Sequence, residues 1–232
     1  ADGANTLETF IYGVNESSTT NFYKHALLLH NTSASPGTNF TYNWTSQIVI
    51  PDKNTVLLFH LDNNSNYGEN RTHVYDFALA RHNGSAVANA FPNVSGGYFA
   101  GGWEFDGTGD YLLIDNTGIL DFDDNGNFTW AFWTRIRDTG KVHYMVSKDP
   151  AGVTTSGYII GTNATGSVVM GKNNAGNINT QVGTVSNVSD RKWHHIAVAF
   201  NTETNVSIYI DGGLEASGNG AFDDNTNSNI NV

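Results

Sequence analysis

The chain has 232 residues, enough for one large β-sandwich or a sandwich with a small accessory module. Hydrophobic residues make up 39% and aromatics 12%, so a sizeable core can form, while charged residues are only 14% and polarity comes from Asn, Ser, Thr and Gly, which favour turns and strands. A net charge of −11 argues against nucleic acid as a partner, no run of 18 apolar residues spans a membrane, and the absence of cysteine excludes disulfides, thiolate metal sites and a Cys nucleophile.

Residues 1–53 read as an amino-terminal β-rich extension. It holds three apolar runs, Thr9–Val14, Phe22–Leu29 and Phe40–Ile50. The first and third read as strands, and Phe22–Leu29 as a strand or a short helix. Residues 54–232 form the main domain, a string of short β segments: Thr55–Leu61, Gly97–Phe105, Tyr111–Ile114, Phe128–Ile136, Val142–Ser147, Gly157–Gly161, Ser167–Gly171, Gln181–Val185, Trp193–Phe200 and Val206–Ile210. Turns such as Asp106-Gly107 and Asp211-Gly212 separate them, and the tail from Ala216 reads as loop. Segments of this length and spacing predict an all-β protein, an antiparallel β-sandwich or a barrel. The chain opens at Ala1 rather than Met, which reads as a processed product.

Twelve Asn-x-Ser/Thr sequons are present: Asn15, Asn31, Asn39, Asn43, Asn63, Asn70, Asn83, Asn93, Asn127, Asn163, Asn187 and Asn205. Chance at this composition gives roughly five. Strand alternation turns several acceptors away from the apolar rows: Asn127 and Thr129 oppose Phe128, Trp130 and Phe132, and Asn205 and Ser207 oppose Val206, Ile208 and Ile210. The expectation is a secreted, extracellular or cell-surface protein carrying covalent N-glycans. The same alternation puts Trp130 and Trp133 on opposite faces, one reading as core and the other as a platform for stacking a sugar. His194 and His195 likewise point oppositely, so they read as structural rather than as a pair chelating one ion.

Four segments occur in a telling order. They are Val56-Leu-Leu-Phe-His-Leu-Asp62 with Asp76 to Gly84 after it; Trp103-Glu-Phe-Asp-Gly-Thr-Gly-Asp-Tyr-Leu112; Phe128-Thr-Trp-Ala-Phe-Trp-Thr134; and Lys192-Trp-His-His-Ile-Ala-Val198 with Val206-Ser-Ile-Tyr-Ile-Asp-Gly212. Together they resemble the laminin-G-like, concanavalin A-like jelly-roll modules over about residues 54–231. The resemblance implies a calcium site in which Asp76 is a ligand, although Ala78-Leu79 stands where the family has Ser-Gly. Some relatives are glucanases with an E-x-D-x-x-E strand. Here Glu104 and Asp106 lack the third acid and Gly107 breaks the strand, so no enzyme is expected.

The family closes on a further strand of the form G-x-I-D-E-V-R-I-Y, and Asn229–Val232 reads only as the approach to it. Two functions then stand side by side. One is a structural, self-assembling surface protein in which Thr9, Phe10, Ile11, Tyr12, Gly13 and Val14 add as a strand to another copy of the chain, giving a filament or array. The other is a calcium-dependent, carbohydrate-binding adhesion module.

Overall fold

The computed structural model describes residues 51, 53–99, 101–115, 127–137, 140–148, 157–174, 177–201, 205–220 and 230–232. The chain divides into two units, Ala1–Asn54 and Thr55–Val232, and nearly all of the described residues belong to the second. Asn15, Asn31, Asn39, Asn43 and the candidate assembly strand Thr9–Val14 lie outside the described residues.

The second unit is built from antiparallel strands, numbered in chain order. Among the described residues one sheet has eight strands in the order β1 (His73–Val74), β2 (Gly84–Val87), β5 (Tyr111–Ile114), β14 (Ile230–Asn231), β7 (His143–Lys148), β8 (Tyr158–Thr162), β9 (Ser167–Asn174) and β10 (Asn177–Asn187). The other has four, in the order β13 (Gly213–Asn219), β12 (Asn205–Ile210), β11 (His194–Asn201) and β6 (Phe128–Thr134). A small hairpin pairs β3 (Phe91–Asn93) with β4 (Gly102–Glu104). Among the described residues no helix is long and apolar enough to cross a membrane.

One core joins the two large sheets. Ile114, Val146, Tyr158, Ile160, Val168 and Met170 from the larger sheet belong to the same buried cluster as Ile196, Val198, Phe200, Val206 and Ile208 from the smaller. Each such side chain contributes about 1.5–3 kcal/mol when withdrawn from water. The alternation read in the sequence is the alternation of burial: Phe128, Trp130 and Phe132 lean on the core, and Thr129, Ala131 and Trp133 face out. The Trp130 indole donates to the Tyr158 hydroxyl at 2.7 Å, which satisfies its polar atom beneath the sheet. The fold class expected from the sequence, a concanavalin A-like β-sandwich, is the one observed.

Three local expectations are corrected. Thr55–Leu61 is not a ladder strand: only Phe59 bridges, to Asp76, the Leu58 amide donates to a side chain, and Leu61 sits at φ 60°. The strand expected over Gly97–Phe105 shrinks to Gly102–Glu104, because its glycine-rich half is a loop. The tail from Ala216 is in part strand: Asp211 and Gly212 at φ 51° and 86° make a tight hairpin turn that returns the chain as β13 against β12. Ile230, fully buried, pairs with Ile114 on one side and Lys148 on the other.

Candidate functional site

The outer face of the four-stranded sheet carries an aromatic cluster where β6 ends and β11 begins. Trp133 is outward by strand alternation and is paired across the ladder with His195. The loop between β3 and β4 reaches over to it. Its glycines are required by close backbone approaches: a Cβ on Gly101 would lie 2.8 Å from the Asp62 Cα, and one on Gly102 2.9 Å from the Gly97 Cα. That tight path presents Tyr98 and Phe99 to solvent, 48% and 45% exposed, beside Trp133 at 36%.

The Tyr98 and Trp133 rings stack, with centroids 3.8 Å apart and 7° between planes. Phe99 meets both edge-on, at 4.7 Å from Tyr98 and 5.8 Å from Trp133. Trp193 stands edge-on to Tyr98 at 6.2 Å, and the Arg135 guanidinium lies 5.0 Å from the Trp193 ring. His195 tilts against Trp133 at 5.3 Å. Three large rings left in water side by side are unusual for a solvent-facing strand and loop, and such patches mark interaction surfaces. Their flat apolar faces, bordered by Arg135 and His195, match the alternating CH faces and hydroxyl edges of a sugar ring.

Polar groups fix the rim. Glu104, on β4, accepts from Asn93 Nδ2 at 2.7 Å and pairs with Arg137 at 3.4 Å. Asp106 caps the next turn, its Oδ1 accepting from the Thr108 amide, while Asp110 accepts the amides of Asp106 and Asn89. The two carboxylates with some likeness to a glycosidase pair are therefore both committed to loop geometry. His194 lies between two aspartates, Nδ1 at 2.8 Å from Asp211 and Nε2 at 3.1 Å from Asp190. Burial lowers its pKa, but the hydrogen bonds to Asp211 and Asp190 prevail and the net shift is upward. Asp190 is held below the usual carboxylate range, chiefly by the backbone N–H of Lys192 and then by its ammonium. His194 thus staples the β12–β13 turn to β11, and His195 faces the other way, as strand geometry requires.

Asp76 has a different job from the one its family likeness implies. It is fully buried, with Oδ1 accepting from the amides of Leu58 at 2.8 Å and Ala78 at 2.9 Å, and Oδ2 from the His82 amide at 2.7 Å. Asn83 Oδ1 accepts from the Asp76 amide at 2.9 Å. Calcium needs oxygen donors facing inward, and here N–H groups converge instead, so the donor set does not fit that ion. Among the described residues no three His, Cys, Asp or Glu side chains converge as metal ligands.

The sequence marked Trp133 but missed Tyr98, Phe99 and Arg135. The loop gave one weak signal, two adjacent aromatics between Gly-Gly pairs at 96–97 and 101–102.

The profile of the laminin-G type, described as the concanavalin A-like lectin/glucanases superfamily, matches residues 106–232, more than half of the chain. The chain belongs to that superfamily. No curated protein sequence matches it. Among solved structures, it is similar to the binding domain of Paraclostridial Mosquitocidal Protein 1, at 16% identity and a TM-score of 0.55, over 69% of this chain and 43% of that one. It is also similar to the carbohydrate binding module CBM66 from Bacillus subtilis, at 15% identity and a TM-score of 0.42, over 64% of this chain and 83% of that one. A further likeness is to an S-layer domain-containing protein from Clostridium thermocellum ATCC 27405, at 19% identity and a TM-score of 0.44, over 72% and 73%. These are likenesses of fold, and the chain spans less than half the length of the mosquitocidal binding domain.

Proposed function

We propose that this chain is a non-catalytic, extracellular binding module that takes an oligosaccharide on the outer face of its smaller sheet. The observation that carries the reading is the exposed stack of Tyr98 on Trp133, with Phe99 and Trp193 set edge-on around it. A pyranose ring laid against such a surface withdraws CH groups from water while its hydroxyls stay solvated or reach the bordering Arg135. Catalysis finds no support at the same place, since Glu104 and Asp106 are held by Asn93, Arg137 and the turn at Thr108. The secreted location is supported by the excess of sequons and by acceptors such as Asn70, Asn187 and Asn205 standing exposed.

An oligosaccharide array followed by titration calorimetry tests this. The wild-type protein is expected to bind at least one class of oligosaccharide with a Kd between micromolar and millimolar. Trp133→Ala is expected to weaken that binding at least tenfold, with the protein still folded and its stability lowered by no more than the loss of the stack, about 0.5–1.5 kcal/mol. Binding that survives both Trp133→Ala and Tyr98→Ala would move the site elsewhere and defeat the proposal.

A further inference from the structure

Eight of the twelve sequons lie among the described residues, and their hydrogen bonds divide them. In Asn70, Asn163 and Asn187 the side-chain Oδ1 accepts the backbone N–H two residues on, at 2.9, 3.0 and 2.7 Å. This turn occupies the oxygen and leaves Nδ2, the atom a sugar is joined to, outside the turn's own hydrogen bond. Asn70 and Asn187 are exposed; Asn70 Nδ2 reaches only the Gly68 carbonyl, at 3.4 Å on the surface. Asn163 is half-buried and its oxygen takes two more donors, Thr165 Oγ1 at 2.6 Å and the Ser167 amide at 3.0 Å. Asn205 is exposed at the start of β12, with one 3.4 Å contact from the Ser217 hydroxyl.

Two sequons are spoken for. Asn93 makes the same turn with Ser95, but its Nδ2 donates to Glu104 at 2.7 Å, under the loop that presents Tyr98. Asn83 is half-buried and receives the Asp76 amide, inside the loop that the Asp76 carboxylate organises.

We propose that the folded protein carries N-linked oligosaccharide at Asn70, Asn187 and Asn205, and none at Asn83 or Asn93. In the transfer, Nδ2 bonds to the anomeric carbon of a lipid-pyrophosphate-linked oligosaccharide. The bond from that carbon to the pyrophosphate oxygen breaks, lipid pyrophosphate leaves with the electron pair, and one amide proton is lost. The proposal rests on the secreted location inferred above. It adds a spatial statement: Asn205 lies beyond the level of Phe128 on the ladder, some six strand positions or about 20 Å from Trp133, so its attachment point stands away from the aromatic surface. The bare Asn93 leaves the foot of the Tyr98 loop without a sugar.

Site-resolved mass spectrometry of glycopeptides from the protein isolated from its own source tests it. The expected result is a sugar mass on the Asn70, Asn187 and Asn205 peptides and unmodified Asn83 and Asn93. Asn187→Gln is expected to remove one glycan from the intact mass, and Asn93→Gln none. Sugar on Asn83 or Asn93, or bare Asn70, Asn187 and Asn205 while other sequons are occupied, overturns the assignment but not the secreted location. No sugar on any asparagine overturns the assignment and removes the sequon support for the location as well.

Discussion

The ring of Tyr98 lies flat on the indole of Trp133, centroid to centroid 3.8 Å, although the two residues belong to a glycine-rich loop and to a sheet-edge strand. The stack ties loop to sheet, so its members are expected to be coupled. A double-mutant cycle with Tyr98→Ala and Trp133→Ala, read by urea denaturation, is expected to give a coupling energy of about 0.5–1.5 kcal/mol. Additive effects would mean that the loop is placed by its glycines alone.

Those glycines yield the second prediction. Gly101→Ala puts a methyl group 2.8 Å from the Asp62 Cα, backbone that cannot swing aside. The loop must move, at a cost of about 1–3 kcal/mol, and Tyr98 moves with it. Stability and oligosaccharide affinity are both expected to fall, whereas Gly107→Ala, where an added Cβ meets nothing within 4 Å, is expected to cost only the strain of its positive φ. Unchanged affinity in Gly101→Ala would show that Tyr98 is not placed by this approach.

Asp76 gives the third. Its carboxylate satisfies three backbone amides in a buried loop. Asp76→Ala strands those donors and is expected to lose about 3–5 kcal/mol by chemical denaturation. A chelator added to the wild type is expected to leave Tm where it was. A fall of several degrees on chelation would restore calcium to this loop.

The fourth concerns pH. His194 has a raised pKa, so its contribution is complete below its ordinary value of 6.5 and fades as pH rises through the folded value. Glu69 is pushed up to about 7: burial is the main cause, the Asn64 amide pulls the other way, and Asp62 adds to the rise. As an acid favoured in its neutral form, it also stabilises fully below 4.5 and loses that contribution as pH climbs through 7. Asp190 and Asp211 act oppositely, their depressed values giving stability above 3.8 that disappears as pH falls through the lower folded values. The urea midpoint is therefore expected to peak near pH 5 and to decline toward pH 8, with a smaller decline above pH 6.5 in His194→Gln. A midpoint that rises between pH 5 and 8 would contradict both assignments.

Where side chains alternate between core and water, the sequence was legible. Tyr111–Ile114 was read with its observed limits, and the inward rows of β6, β11 and β12 were read correctly from Phe, Trp, Val and Ile at every second position. β13 was not legible because nothing large on it is buried: Leu214 is 59% exposed, and its more sheltered positions are Ala216 and Gly218. Half of the site was legible for the same reason, since strand periodicity aims Trp133 outward. Tyr98 and Phe99 obey no period, and what places them is the closeness of two backbones, which leaves only glycines as its trace. The clasp on His194 joins the Asp190–His194 stretch to Asp211, and the distant half of it leaves no local pattern.

The two-residue strand at Ile230 and Asn231 has a consequence for how the protein is made. It is the seam of the eight-stranded sheet, with β1, β2 and β5 on one side and β7 to β10 on the other. Its partner Ile114 is more than a hundred residues earlier in the chain. During synthesis the two halves of that sheet emerge well before the strand that joins them, so their inner edges stay open until it arrives. Nascent chains stalled just short of Ile230 should then be the species most prone to pair with one another, and the most dependent on a chaperone's shelter.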